Sequence, residues 1–453
     1  MINFNNIKKA YFIGIGGIGM SAIARYFNSR DIEVFGYDRV STKLTQNLEN
    51  EGIKIHYEDD VTQIPNGIDL VVYTPAVPRS HSELSYFFDK NFPVLKRAAV
   101  LGIISKAKKV IGIAGTHGKT TTSTITTHLL NEGNVDISAF LGGIALNFES
   151  NFVEGNSDYV VAEADEFDRS FLHLYPNVAA IMSMDADHLD IYGNIETMHE
   201  TFHQYVSQVQ SGGFVFYKYD LPLQPTVNDG VKVQTFGVEN GDFQSKNLRV
   251  EDGFFVFDLQ SPIENIENLK FTLPGKHNIE NATVAIAIAQ SLGVSSADIR
   301  KGLLNFKGIK RRFEFVIREN NKVLIDDYAH HPTELNAAID AARTLYPNKK
   351  ITGVFQPHLF SRTKDFVDGF AESLNVLDEI VLLDIYPARE LPIENVTSQI
   401  ILDRITNSNK KIVSKQNLLR LYPNNDSEII LVLGAGDIDK LVELLKDKWL
   451  KIS

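Results

Sequence analysis

The chain of 453 residues contains no cysteine. That absence excludes disulfides, thiol catalysis and cysteine-ligated zinc, and it fits an expected cytoplasmic location. Long apolar runs are missing too: none approaches the roughly 20 residues needed to cross a bilayer. The first residues pass from polar directly into a strand without a signal-peptide layout, so no membrane partner is expected. Positive charge is in deficit, with 45 Lys and Arg against 57 Asp and Glu and a formal net charge of −12. A nucleic-acid partner is therefore not expected, because such proteins carry a basic footprint. An anionic small substrate stays compatible, since glycine loops and helix ends bind phosphate through backbone N–H groups. The length accommodates roughly two to four domains of globular composition.

What is present begins with Gly115-Thr116-His117-Gly118-Lys119-Thr120-Thr121, placed between the apolar run Val110–Ala114 and a helix-like segment through Leu130. A buried strand, a glycine loop with lysine and a helix form a phosphate cradle, so a nucleoside triphosphate, ATP, is the expected ligand. Lys119 is expected to reach the β/γ oxygens and Thr120 to hold Mg²⁺. The loop is a shortened variant, with Ile113 where the usual pattern has glycine. Two further strand-like runs empty into carboxylates: Tyr159–Asp168, with Glu163, Asp165 and Glu166, and Ala180–Asp190, with Asp187 and His188. In a parallel sheet these ends open onto the phosphate loop, which makes Glu163 and His188 a candidate Mg²⁺ pair. Asn278 and Asn281 sit three apart at the start of a small-residue helix over Thr283–Gln290, where they either cap the helix or bond a nucleotide base. In the basic stretch 308–314, an arginine is placed to meet the γ-phosphate.

The first hundred residues carry Gly14-x-Gly16-Gly17-x-Gly19 between a strand over Ala10–Ile15 and a helix from about Met20 to Arg30. A second strand, Ile32–Tyr37, ends at Asp38, where such folds hold a ribose hydroxyl. Alone, this pattern reads as a nicotinamide or flavin dehydrogenase; physically it marks only a backbone turn that approaches a pyrophosphate, which a nucleotide-linked sugar also carries. The run from Leu70 to Pro78 adds Thr74 and Ala76 to the same crevice. The last third alternates strand and helix, with strands over Lys322–Asp326, Ile351–Phe355, Glu379–Asp384 and Ile429–Leu433. Its polar strand ends offer His330 or His331 as a general base and Arg362 as a bidentate carboxylate clamp.

Taken in order, the two glycine loops, Glu163-Ala164-Asp165-Glu166, Asp187-His188, His277-Asn278-x-x-Asn281, Arg311-Arg312-Phe313 and Asp327-Tyr328-Ala329-His330-His331-Pro332 resemble the Mur ligases of peptidoglycan synthesis along the whole chain, and most closely their alanine-adding branch. The resemblance implies a three-domain α/β fold. A Rossmann-like N-terminal domain over 1–105 would bind the UDP-sugar, a central P-loop ATPase domain with a mainly parallel sheet over 106–312 would bind ATP, and a C-terminal Rossmann-like α/β domain over 313–453 would serve the amino acid and close over ATP. It further implies that ATP phosphorylates the carboxylate of UDP-N-acetylmuramate and that L-alanine attacks the acyl phosphate. In that scheme Gly16, Gly17, Ile18, Gly19, Asp38, Thr74 and Ala76 hold the UDP-sugar. Residues 115–121 with Asn278, Asn281, Arg312 and Asp327 lie along ATP. Thr120, Glu163 and His188 position Mg²⁺, and His330 and Arg362 approach the amino acid. Within the family a murein-tripeptide recycling ligase is the alternative. Leu359 stands where the alanine-adding branch commonly places arginine. A nicotinamide oxidoreductase and a catalytically silent nucleotide-binding protein are the alternatives outside it. The oligomeric state, monomer or homodimer, is not encoded in any pattern found.

Overall fold

β-Branched and aromatic runs punctuated by glycine and polar turns form three sheets in the computed structural model, which describes residues 4–106, 108–185, 189–319, 321–388 and 390–451. The first sheet holds β1 (Lys9–Ile13), β2 (Glu33–Tyr37), β3 (Lys54–His56), β4 (Leu70–Tyr73) and β5 (Val94–Lys96), all parallel, in the order β3-β2-β1-β4-β5. The order reverses between β1 and β4, and at such a switch point the loops leaving the carboxyl ends diverge and leave a crevice. The glycine loop after β1 and the loop carrying Thr74 after β4 flank it.

The second sheet comprises β6 (Lys109–Ala114), β7 (Ser138–Ala145), β8 (Ser150–Val153), β9 (Tyr159–Ala164), β10 (Val178–Ile181), β11 (Phe214–Lys218), β12 (Lys232–Val238), β13 (Phe243–Glu251), β14 (Phe254–Gln260) and β15 (Ile266–Phe271), in the order β15-β14-β13-β12-β11-β10-β6-β9-β7-β8. β6 pairs parallel with both β9 and β10, with Ala114 opposite Ala164 on one side and Ile181 on the other. The third sheet runs β16-β17-β21-β18-β19-β20, from β16 (Glu314–Glu319), β17 (Lys322–Asp327), β18 (Ile351–Phe355), β19 (Glu379–Leu382), β20 (Lys410–Ile412) and β21 (Ile429–Leu433). It is parallel except for β16 against β17. The chain divides into two units, one of Met1–Lys246, Asp258–Glu267 and Glu280–Leu303, the other of Asn247–Phe257, Asn268–Ile279 and Leu304–Ser453. Among the described residues, no helix is long and apolar enough to cross a membrane.

Within the first unit the helix Ile18–Asn28, which leaves the glycine loop, packs on the β7–β8 hairpin: the Tyr26 ring centroid lies 5.5 Å from that of Phe140 and 6.1 Å from that of Phe152. A polar network is buried in this contact. The Asn151 amide donates to Ile18 O at 2.5 Å and Ser21 Oγ at 2.9 Å and accepts from the Arg25 guanidinium. Arg25 also forms a two-pronged pair with Glu51 at 2.7 and 2.8 Å. A buried guanidinium requires such partners, because desolvation leaves an unpaired charge several kcal/mol unfavourable, on the order of 3–5. The first turn after the glycine loop is thus fixed by a residue about 130 positions away in sequence.

Element ends moved by a few residues from the sequence expectation. The helix expected over Thr283–Gln290 spans Lys276–Ser291, starting directly after Pro274-Gly275, so Asn278 and Asn281 lie inside its first two turns and do not cap it.

The helix Ile195–Ser207 carries Tyr205, fully buried and stacked on Phe171 with centroids 4.8 Å apart. Its hydroxyl has no hydrogen-bond partner among the described residues. Removing an unsatisfied buried hydroxyl while keeping the ring removes a desolvation penalty, so Tyr205→Phe is expected to raise stability by about 1 kcal/mol. Urea unfolding of both proteins checks this; a lower midpoint for the variant would show that the hydroxyl is bonded after all.

Candidate active site

β6 delivers the chain into the loop 115–118, and Gly118 caps the helix Lys119–Glu132 at φ 83°, a left-handed backbone that disfavours side chains. A Cβ at Gly118 would also stand 2.7 Å from Asn281 Oδ1, so that asparagine lies against the loop. The exit of β10 pins the loop from the other side. Ser183 Oγ accepts from His117 N at 2.7 Å and bonds Thr116 Oγ1 at 2.9 Å, and Thr116 Oγ1 accepts from Asp185 N at 3.2 Å. The loop and the first turn of the helix, with Thr120 and Thr121, therefore present backbone N–H groups at the strand ends, a preformed anion cradle.

Lys119 points inward. Its ammonium donates to both oxygens of Glu166 at 2.7 and 2.9 Å and to Gly115 O at 2.5 Å. Glu166 is 1% exposed; burial pushes its carboxyl pKa up, and the charge of Lys119 opposes that shift. Sequence reasoning had Glu166 only as one member of an acidic cluster. Its partner lies 47 residues away and no local spacing links them.

Glu163, at the end of β9, is half-buried beside this loop. Its Oε1 accepts from Gly142 N at 2.8 Å and from Ser123 Oγ at 3.3 Å, while Oε2 has no hydrogen bond among the described residues. His188 and Asp187 lie outside the described residues. Among the described residues, no three His, Asp or Glu side chains form a metal cage. The carboxylate of Glu163 and the hydroxyl of Thr120 are oxygen donors of the kind that suits a hard cation which completes its shell from phosphate and water.

The glycine loop of the first sheet is organised by Asp38. Asp38 Oδ2 accepts from Gly16 N at 2.8 Å, so the carboxylate expected at a ribose also shapes the loop. Gly17 is the N-cap of the helix that begins at Ile18 and Gly19. Thr74 Cγ2 comes within 2.7 Å of where a Cβ on Gly14 would stand, which brings Thr74 to the loop, and Ala76 follows it on the exposed turn. Arg97 was missed. Its guanidinium lies 2.9 Å from the position of a Cβ on Gly19 and donates to Asp165 at 3.2 Å, between the glycine loop and the acidic cluster. The signal was the pair Lys96-Arg97 where β5 ends, at the same carboxyl edge.

The second unit gathers another set. Asp327, at the end of β17, accepts from Phe313 N at 2.7 Å and Ala329 N at 2.8 Å, and burial pushes its carboxyl pKa up to about 6 against the charge of Arg312. Arg312 lies over the Tyr328 ring at 5.5 Å. Neighbouring Arg311 pairs with Asp326 at 3.4 Å and donates to Gly434 O at 2.5 Å, which makes it a structural partner. His330 bonds Glu334, and its ring lies 6.1 Å from that of His358. His358 stacks on Tyr386, and burial lowers its pKa to about 4 with help from His330 and Arg362. Leu359 holds φ 69°, ψ 139°, a strained backbone for a side chain of this kind, and leads into the short helix Phe360–Asp365 that carries Arg362.

A Cβ at Gly142 would meet Glu163 Oε2 at 2.3 Å. Gly142→Ala is expected to displace that carboxylate and to weaken magnesium-dependent ATP binding by about tenfold, roughly one charge-assisted contact. Titration calorimetry with and without Mg²⁺ measures it; unchanged binding would show that Glu163 stands apart from the nucleotide.

Three family models cover the chain: the catalytic domain of the Mur ligase family over residues 9–109, the Mur ligase middle domain over 113–289 and the glutamate ligase domain of Mur ligases over 311–436. A UDP-N-acetylmuramate–L-alanine ligase of Flavobacterium psychrophilum is 51% identical over 98% of this chain and 99% of its own. One from Christiangramia forsetii is 50% identical over 98% of both. Among solved structures, UDP-N-acetylmuramate–alanine ligase of Thermotoga maritima superposes with a TM-score of 0.86 at 28% identity, covering 98% of this chain and 100% of that one. A murein peptide ligase of Psychrobacter arcticus shares the fold at a TM-score of 0.69 and 22% identity, covering 98% and 99%. With phosphate loop, acidic strand ends and near full-length relatives in agreement, the chain belongs to the Mur ligase family.

Proposed function

We infer that the protein joins L-alanine to the lactyl carboxylate of UDP-N-acetylmuramate with consumption of ATP, giving the amide, ADP and phosphate. The observation that carries this is the 50–51% identity, over nearly the whole length, to ligases of that name. The phosphate loop beside Glu163 supports the chemistry. A carboxylate is a poor electrophile, and moving the γ-phosphoryl group of ATP onto it creates a good leaving group. Lys119 stabilises the charge on the β/γ oxygens during transfer, which requires it to exchange Glu166 for phosphate. Thr120, Glu163 and His188 are assigned to a magnesium ion, which when bound would neutralise phosphate charge.

Asn278, Asn281, Arg312 and Asp327 are assigned to ATP, with Asn281 supported by its place at Gly118. The glycine loop at 16–19, Asp38, Thr74 and Ala76 are assigned to the UDP-sugar, so the loop serves a sugar pyrophosphate where a dehydrogenase would hold its cofactor. His330 and Arg362 are assigned to the amino acid. The functional division is 1–105 for the UDP-sugar, 106–312 for ATP and 313–453 for the amino acid, and the reaction is placed in the cytoplasm, where its nucleotide substrates are.

Phosphate release from ATP and Mg²⁺ with UDP-N-acetylmuramate is the test, with L-alanine, glycine, L-serine or murein tripeptide as acceptor and mass spectrometry of the product. Release with an alanine-sized mass gain is expected for L-alanine, and Lys119→Ala is expected to lower it by about 10²–10³-fold, as for loss of a transition-state charge donor. Turnover with the tripeptide instead would make the protein a recycling ligase. Full activity in the lysine variant would overturn the mechanism.

A further inference from the structure

The chemistry inferred above leaves one proton without a destination. An amino acid near neutral pH carries its amine as ammonium, which has no lone pair for attack, so a base must take a proton first. The loop between β17 and the helix Pro332–Leu345 offers two histidines, and their surroundings differ. His331 is the N-cap of that helix: its Nδ1 accepts from Thr333 N at 3.3 Å, and its ring packs against Phe366. His330 has Nδ1 facing two acceptors, Glu334 Oε2 at 3.1 Å and the carbonyl of Tyr328 at 3.0 Å. Two acceptors at one ring nitrogen require it to carry the hydrogen, which leaves the lone pair on Nε2. The same Glu334 oxygen accepts from the backbone of His330 at 2.9 Å, so one carboxylate fixes both the ring and its main chain.

We propose that Glu334 is a positioning residue that sets the tautomer of His330 and makes its Nε2 the base for the incoming amine. The inference rests on the ligase reading. The ammonium gives one proton to Nε2, the freed nitrogen attacks the acyl-phosphate carbonyl, and a C–N bond forms. The C–O bond to phosphate then breaks, and the second nitrogen proton leaves with the phosphate. His330 returns its proton to solvent.

The electrostatics agree. Burial acts to raise the pKa of Glu334, but bonds from His330 and the charges of His330 and Arg312 outweigh it and hold the carboxyl down to about 2. It is therefore ionised throughout the working range. The rings facing His330 are Tyr328 at 5.3 Å and His358 at 6.1 Å. His358, held down to about 4, adds no positive charge near neutrality, and Arg362 acts on it from the following helix.

The experiment compares the wild type, Glu334→Gln and His330→Gln with L-alanine and with hydroxylamine as nucleophile. Hydroxylamine is neutral near pH 7 and needs no base, so hydroxamate formation reports acyl phosphate and an intact fold. Glutamine keeps an acceptor for the His330 backbone but loses the charge. The expected result is a loss of about 10–100-fold in kcat with L-alanine for Glu334→Gln, the usual scale for a residue that orients a functional histidine. His330→Gln, which removes the base itself, is expected to lose at least as much with L-alanine. Hydroxamate formation stays near wild type in both. A wild-type rate with L-alanine in Glu334→Gln, or an equal loss with both nucleophiles, would overturn the proposal. Absence of hydroxamate in the wild type would overturn the acyl-phosphate reading itself, and this inference with it.

Discussion

The parallel pairing of β6 with β9 and β10 is the constraint from which the rest of the first unit's site follows. Parallel strands present all their carboxyl ends at one edge, and the register places Ala114, Ala164 and Ile181 level there. Each strand is apolar until that edge and then turns polar, so the phosphate loop, the Glu163–Glu166 cluster and Ser183 emerge together. A one-residue slip of β9 would turn Glu163 to the other face of the sheet and remove it from Gly142 and Ser123. The register thus does structural and chemical work at once.

Desolvation decides what the charged residues at that edge can do. Lys119 and Glu166 form a pair in which the carboxylate is almost fully buried, and burying either charge alone would be strongly unfavourable. The pair keeps the lysine ordered, and in the proposed reaction phosphate oxygens must offer a better partner than Glu166 to draw it away. The Arg25–Asn151–Glu51 network follows the same rule with a different result. It spends a buried arginine on holding the helix that follows the first glycine loop against the β7–β8 hairpin. That hairpin also supplies Gly142 to Glu163, so one supersecondary unit supports residues beside both glycine loops.

The sequence was legible where chemistry is local. The phosphate loop, its strand and its helix were readable because glycine, lysine and an apolar run occur within about twenty positions, and the strands over Ile351–Phe355 and Ile429–Leu433 agree end for end with expectation. The carboxylates of β9 were readable for the same reason. What stayed hidden is contact across sequence distance: Lys119 with Glu166, Asn151 with Ile18, and Arg97 with Gly19 and Asp165. No periodicity encodes those pairings, since each depends on which loops the sheet order makes neighbours. The His330–Glu334 contact is an intermediate case. Its i, i+4 spacing was visible, but only the fold shows that the carboxylate meets Nδ1 and not the other ring nitrogen. Asp38 and Asp327 stood out in the sequence as candidates, and their acceptance of backbone amides that shape their own loops became visible only in three dimensions.

Activation of a carboxylate by phosphoryl transfer is the claim on which these assignments converge, and the fate of the carboxylate oxygens tests it most directly. UDP-N-acetylmuramate labelled with ¹⁸O in its lactyl carboxylate would be turned over with ATP, Mg²⁺ and L-alanine, and the phosphate released would be weighed by mass spectrometry. An acyl-phosphate route transfers one labelled oxygen to each phosphate. Unlabelled phosphate accompanying amide formation would contradict the account, because the carboxylate would then have been activated without ever bonding to phosphorus.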